Sequence, residues 1–352
     1  MPIHTLTVGK QPLKANPFKR ICQRLFSMAQ EGTIPSTGNG YLNFQNIHVI
    51  GYAGITIRLS KSPFRRIELI VNPTRILGGT YADLYELTTT AMQEISDVIN
   101  ALLLDIAANF SFSEMCLSRV DCTKDITLPY ADLACELIGC LKRSKLGRGY
   151  ERQSFGCGYK NFAEKNRHSF RASCRDICLT VYEKSFQLKE EKIMPLEKIP
   201  PNRLRFEVSF SNASFQRLLQ HHLQGTVINQ TLEEKILYFS DLSITLLQTY
   251  FNRGVMPGRF LRLDAAKAEI ENSWYSPATK EEMKRFMYQV RREYKLGVDG
   301  ALFSSGLSER QSKYLLACFR ELDLNPAALP MSSNVREVPS ILQMLTGNRV
   351  AI

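Results

Sequence analysis

The sequence has 352 residues, of which 44% are hydrophobic and 22% charged, proportions that exclude wholesale disorder and predict two or three globular domains. Its 45 lysines and arginines against 34 aspartates and glutamates give a net charge of +11, which predicts a polyanionic partner, either a nucleic acid or an acidic membrane surface. The sequence lacks an apolar run of transmembrane length, a signal-peptide core and a Cys-x-x-Cys pair among its nine cysteines, so we expect reduced thiols in a cytoplasmic protein.

Periodicity predicts the elements in chain order. Residues 1–40 are basic and become rich in Pro, Gly and Ser, which predicts an arm with a short helix over 18–30. Alternation of apolar and polar side chains predicts strands over residues 47–51, 55–60, 67–71, 117–123, 170–173, 177–184 and 203–210. Helical spacing and capping signals predict helices over residues 80–109, 130–143, 213–223, 231–252, 278–295 and 307–321.

This order of elements predicts an α+β fold, in which an antiparallel sheet with flanking helices is followed by an all-helical C-terminal region. We expect a basic N-terminal arm over residues 1–40, a sheet domain over 41–212 and a helical accessory domain over 213–352.

Three of the predicted strands carry polar side chains that could act together. The polar face of the strand over 117–123 holds Arg119 and Asp121, and also Asp125 if that strand continues. The strand over 177–184 holds Tyr182 and Lys184, and the strand over 203–210 holds Arg205 and Glu207. If these strands are neighbours, a tyrosine, a lysine and two or three carboxylates converge on one side of one sheet.

Such a set can perform phosphate chemistry, although polar sheet faces often only meet water and arginine–carboxylate pairs often are surface salt bridges. Grouped carboxylates bind a hard divalent cation such as Mg²⁺ or Mn²⁺, which polarises a phosphate. A tyrosine beside the cation can attack phosphorus. Lys184 could lower the pKa of the Tyr182 phenol or stabilise the charge of the phosphorane.

Four motifs follow one another in a familiar order. They are Asn72-Pro73 after a strand, Arg119-Val-Asp121-x-x-x-Asp125, Val181-Tyr182-Glu183-Lys184, and Leu204-Arg205-Phe206-Glu207-Val208. This series resembles the rolling-circle replication initiators of small plasmids and filamentous-type phages, namely the Rep_trans-like and gene II-like nicking-joining proteins. The matching span covers less than half of the chain, and Glu183 stands where relatives have Asn or Asp.

The resemblance implies site- and strand-specific nicking of DNA through a 5′-phosphotyrosine, with Tyr182 as the nucleophile and Lys184 beside it. It implies Asp121, Asp125 and Glu207 as ligands of Mg²⁺ or Mn²⁺. The implied partner is a plasmid or phage replication origin in single-stranded or hairpin form, with no membrane. A host helicase and polymerase are further candidate partners, and a homodimer is a candidate assembly.

Two alternatives stay open: a metal-dependent nuclease without a covalent intermediate, and a non-catalytic DNA-binding regulator. Contacts to DNA are expected from Arg119 and Arg205 in the sheet, and from Lys284, Arg291 and Lys295 on the basic stripe of the helix over 278–295. That charged stripe could also be merely solvated. Trp274 precedes it and could stack on a base or pack between domains. With five histidines in the chain, we expect no His-rich metal site.

Overall fold

A computed structural model describes residues 3–31, 47–48, 54–61, 64–156, 161–192, 194–211, 215, 217–218, 230–293 and 295–347. The chain forms two compact units: unit 1 comprises Met1–Thr123 and Ser209–Ile244, and unit 2 comprises Lys124–Val208 and Thr245–Ile352. Over the described ranges, no helix combines the length and apolar character needed to cross a membrane.

The strands are β1 (Ile3–Lys10), β2 (Ile47–His48), β3 (Ile55–Ser60), β4 (Arg66–Val71), β5 (Cys116–Thr127), β6 (Glu151–Gln153), β7 (Ser169–Cys174), β8 (Ile177–Glu183), β9 (Arg203–Ser211), β10 (Phe260–Leu261) and β11 (Glu337–Val338). The helices are α1 (Ala15–Gln30), α2 (Pro73–Ile76), α3 (Thr89–Asp105), α4 (Asp132–Arg143), α5 (Phe162–Arg167), α6 (Lys184–Glu190), α7 (Leu232–Gly254), α8 (Leu263–Glu271), α9 (Pro277–Arg292), α10 (Gly297–Ser304), α11 (Glu309–Glu321) and α12 (Ile341–Thr346). Short 3₁₀ turns lie at Phe112–Glu114 and Leu196–Lys198. The predicted α+β class, an antiparallel sheet with flanking helices and a helical C-terminal region, is confirmed.

Unit 1 contains the sheet order β2-β3-β4-β1-β5. Strand β1 pairs antiparallel with β4, where Leu6 faces Val71, and with β5, where Leu6 faces Val120. Helix α3 contributes an apolar stripe that includes the fully buried Ile95 and Ile99, as the 3.6-residue period requires. The hairpin predicted around residues 51–54 lies mostly outside the described residues.

The prediction of a basic arm over residues 1–40 is wrong for Ile3–Lys10, which forms a strand between β4 and β5. Its Leu6 and Val8 are fully buried. A fragment comprising residues 41–212 would therefore lose a strand from the interior of the unit 1 sheet. The predicted boundary at residue 212 also differs from the two units, because β5, β9 and α7 each continue from one unit into the other.

The long helix predicted from residue 80 begins at Thr89 instead. The Thr88 side chain accepts a hydrogen bond from the Ala91 amide, which is the N-cap interaction. Thr80 donates to Asp83 over 2.7 Å, so the earlier capping signal belongs to a local turn. The Asn-Pro motif acts at the end of β4 as predicted, and Asn72 then caps the short helix α2 by accepting from the Arg75 amide.

Unit 2 contains the sheet order β9-β8-β7-β6 together with helices α4–α6, α8–α12 and the C-terminal part of α7. Strand β9 buries Leu204, Phe206 and Val208 completely, which confirms the predicted core face. Helix α9 buries Met283, Phe286, Met287 and Val290, the predicted apolar stripe, whereas Tyr294 lies outside the described residues. The helix predicted over 213–223 falls largely outside them too.

Candidate active site

Tyr182 lies near the end of β8, next to a strand-to-helix transition. The register of the β7–β8 hairpin places it opposite Ser169, and its neighbours Leu179 and Val181 are buried on the other face, as predicted. Strand β8 ends at Glu183, and Lys184 is the first residue of α6. The prediction that Lys184 continues the strand is therefore wrong, although its ammonium nitrogen still lies 5.9 Å from the centre of the Tyr182 ring.

A short hydrogen bond joins Tyr182 to Glu207 on the neighbouring strand β9. The phenol donates to Glu207 Oε1 over 2.7 Å, and both side chains are half-buried. Burial first, and the Glu207 carboxylate second, raise the pKa of the Tyr182 phenol well above its ordinary value, against the opposing influence of Arg205. The phenol is thus neutral at rest, and the carboxylate is in position to receive its proton.

Arg205 is completely buried beside this pair and is held by Asp125. Its Nε and Nη2 donate to the two carboxylate oxygens of Asp125 over 2.6 and 2.8 Å, a bidentate pair. Arg203 approaches the same carboxylate at 3.6 Å. Arg205 Nη1 is buried and has no hydrogen-bond partner among the described residues. Because the side chain has no exposed surface, the guanidinium influences the Tyr182–Glu207 pair through its charge.

Lys184 is buried within the same cluster, with 2% of its surface exposed. Its ammonium group donates to Gln187 Oε1 over 2.8 Å. Burial first, and the neighbouring Arg205 charge second, lower the pKa of Lys184 to about 8. Unit 2 therefore brings together four predicted residues, Tyr182, Lys184, Arg205 and Glu207, with Asp125 at the edge of the group.

Asp121 and Arg119 belong to unit 1 and pair with each other. Arg119 Nε and Nη2 donate to the two oxygens of Asp121 over 2.8 and 3.0 Å, and Arg119 also donates to Ser209. The Asp121 side chain is 5% exposed, whereas that of Arg119 is 48% exposed. The strand does continue through Asp125, as the sequence suggested.

Each of the three predicted ligands of Mg²⁺ or Mn²⁺ contacts a side chain of its own unit. Both oxygens of Asp121 and both of Asp125 accept from arginines, and Glu207 accepts from the phenol. The only group of three metal-ligating side chains among the described residues lies elsewhere in unit 2, at Cys135, His168 and Glu183. Mg²⁺ or Mn²⁺ binding by the three acids stays a prediction.

The basic face predicted on α9 is partly neutralised. Lys284 contacts Glu281 over 2.6 Å and also contacts Glu271. Arg291 is exposed on the last turn of α9, whereas Lys295 lies beyond the end of the helix and is also exposed. Trp274 is 72% exposed, so packing does not cover this side chain.

Comparison with known proteins gives a limited likeness. Neither the known family profiles nor the curated proteins contain a match to the chain. A solved structure titled as the rolling circle replication initiator protein from Geobacillus stearothermophilus is similar over 72% of this chain and 84% of that chain, with 13% identity and a TM-score of 0.33.

Proposed function

We propose that the protein nicks and rejoins DNA by tyrosine transesterification, and that it initiates rolling-circle replication of a plasmid or phage. The observation that carries the proposal is the Tyr182–Glu207 hydrogen bond of 2.7 Å with the two buried cations Lys184 and Arg205 beside it. A nucleophile, a proton acceptor and groups that can stabilise an anion are the parts that phosphoryl transfer to a side chain requires.

In the proposed reaction, the Tyr182 oxygen attacks the phosphorus of a DNA phosphodiester while the phenolic proton passes to the Glu207 carboxylate. A bond forms between Tyr182 Oη and phosphorus, and the bond from phosphorus to the 3′-oxygen breaks. The DNA strand is left attached to the protein through its 5′-phosphate, and the departing 3′-oxygen takes a proton from solvent. Rejoining reverses these steps, so no ATP is required.

Arg205 and Lys184 have a supporting role in this scheme. Arg205 has no exposed surface, so in this scheme its guanidinium acts on the pentacoordinate phosphate through its positive charge and not through a direct hydrogen bond. Asp125 keeps the guanidinium in place through two hydrogen bonds. Lys184 supplies a second positive charge near the phenol. The net charge of +11 favours DNA as the partner that delivers the phosphate.

The test is nicking of a single-stranded origin oligonucleotide by the full chain and by Tyr182→Phe. We expect the variant to lose nicking and to bind DNA within about twofold of the wild type, because only one hydroxyl is removed. Tyr130→Phe is the matched control, since the Tyr130 phenol also donates to a glutamate, Glu136, over 3.3 Å. This control should nick normally.

The two alternative functions give different results in the same assay. A nuclease without a covalent intermediate would cut without trapping protein on DNA, and its activity would survive in Tyr182→Phe. A non-catalytic regulator would bind the oligonucleotide and leave it intact.

A further inference from the structure

We propose that Cys135, His168 and Glu183 form a binding site for Zn²⁺ in unit 2. The site uses none of the groups assigned to nicking, so this proposal can be tested independently of the proposed function. The chemical class of the ligand is a borderline-soft divalent cation that accepts sulfur, nitrogen and oxygen donors together.

Three different donor atoms converge on one point. His168 Nδ1 lies 3.3 Å from Cys135 Sγ and 2.7 Å from Glu183 Oε2, and the sulfur lies 4.0 Å from the same oxygen. Ligands of a tetrahedral Zn²⁺ are separated by about 3.3–3.6 Å, given metal–ligand bonds of about 2.0–2.3 Å. Shifts of about half an ångström in the donor atoms would therefore bring their separations to those around a bound Zn²⁺.

The backbone holds two of the donors in place. His168 precedes β7 and Glu183 ends β8, and the Glu183 amide donates to the His168 carbonyl over 3.0 Å. This bond extends the β7–β8 ladder by one pair beyond Ser169 and Tyr182. Cys135 comes from the first turn of α4, a helix packed against both strands. An ion here would join the helix to the open end of the hairpin.

The surroundings of His168 are those expected around a metal-bound imidazole. The ring stacks on Phe186 at 3.7 Å with an angle of 7° between the planes, which fixes its orientation. Its other nitrogen, Nε2, lies 3.6 Å from a carboxylate oxygen of Glu164. Metal-binding histidines commonly direct the second ring nitrogen to a carboxylate, which sets the tautomer and strengthens the ligand.

The geometry favours a metal over a thiol–imidazole–carboxylate relay. In such a relay the thiol and the orienting carboxylate contact opposite nitrogens of the ring. Here Glu164 does lie at the opposite nitrogen, but Glu183 lies on the same Nδ1 as Cys135 and closer to it, at 2.7 Å against 3.3 Å for the sulfur, so the nitrogen that a relay reserves for the thiol is shared with a carboxylate. Convergence of sulfur and oxygen on one nitrogen suits a shared ion, and the sulfur donor favours Zn²⁺ over Mg²⁺.

The experiment titrates the metal-free full chain with Zn²⁺ against a competing chromophoric chelator, and then with Co²⁺. We expect one tight Zn²⁺ per chain, and a thiolate-to-Co²⁺ charge-transfer band that identifies the sulfur ligand. Cys135→Ser and His168→Gln should each weaken the affinity about 100-fold or more and remove that band. Glu164→Gln should weaken it about 10-fold, as loss of a group behind a ligand does.

Cys178→Ser is the matched control, because Cys178 is another half-buried cysteine of unit 2 and lies outside the cluster. It should retain the ion and the band. Circular dichroism checks that each variant is folded. If Cys135→Ser does not fold, Glu183→Gln, which keeps the side-chain size, replaces it as the test of the site. The absence of a one-to-one Zn²⁺ complex in the wild type, or an unchanged affinity in folded Cys135→Ser and Glu183→Gln, would overturn the proposal. Tyr182→Phe should still bind Zn²⁺, so failure of the nicking mechanism leaves this result intact.

Discussion

Replacing Glu207 by glutamine removes the proposed proton acceptor with little change in shape. The glutamine amide oxygen can still accept the hydrogen bond that Tyr182 makes over 2.7 Å, but it cannot take the phenolic proton near neutral pH. A general base contributes about 10²–10⁴-fold to a rate, or about 3–5 kcal/mol of transition-state stabilisation. We therefore expect nicking to fall by that factor, while the free energy of unfolding changes by less than about 1 kcal/mol.

The assay is single-turnover cleavage of a labelled oligonucleotide, with DNA affinity measured in parallel. Glu136→Gln is the control, because Glu136 accepts from Tyr130 outside the proposed site, and it should cleave at the wild-type rate. Added Mn²⁺ separates the proposed base from the predicted metal ligand: it should not rescue a missing base, but it should partly rescue a weakened metal site. Wild-type cleavage by Glu207→Gln, or its rescue by Mn²⁺, would refute the assignment of a general base.

Three further predictions concern stability and DNA contact. Arg205→Met leaves the Asp125 carboxylate without its two short hydrogen bonds and should lower the free energy of unfolding by about 3–5 kcal/mol in urea. Arg203→Met removes a longer, 3.6 Å contact to the same carboxylate from a partly exposed side chain and should cost about 1 kcal/mol or less. An equal cost for both would contradict the structure. DNA affinity should fall as salt rises. Replacing Lys284, Arg291 and Lys295 together by glutamine should flatten the slope of log affinity against log salt concentration by about two units rather than three, because Lys284 already contacts two glutamates. Binding of single-stranded DNA should quench the fluorescence of the chain's single tryptophan, the exposed Trp274, and Trp274→Ala should weaken binding by about 1–3 kcal/mol if it stacks on a base; an unchanged spectrum would exclude that contact.

The sequence is a good guide where burial follows a simple period. Strands β8 and β9 were predictable because their apolar residues alternate strictly, with Val181 and Phe206 inside and Tyr182 and Glu207 on the other face. The continuation of β5 through Asp125 was harder to predict, because Lys124 stands where the alternation calls for an apolar residue, and it is nevertheless buried.

Local sequence signals were misleading at two places, the N-terminal strand β1 and the turn at Thr80–Asp83. Leu6 and Val8 alternate with threonines in β1, but the basic composition of the surrounding residues favoured an arm. Thr80 and Asp83 have the residue types of a helix cap, yet they satisfy each other in a turn, and the helix begins nine residues later. Composition and capping signals describe tendencies, whereas strand pairing is decided by distant residues.

The contacts within the candidate site could not be predicted from one sequence. Alternation identified the face that carries Arg205, but not its complete burial against Asp125, which lies 80 residues away in the chain. The group of Cys135, His168 and Glu183 has no short spacing that could reveal it. Only the packing of α4 against the β7–β8 hairpin brings these three side chains together.

The most direct test of the proposed function is to map the protein residue that becomes attached to DNA. The full chain is incubated with a suicide oligonucleotide, digested, and analysed by mass spectrometry for a peptide that carries a 5′-linked nucleotide. We expect the modified peptide to contain Tyr182 as the linked residue. A link at Tyr130 or another tyrosine, or cleaved DNA with no linked peptide, would contradict it.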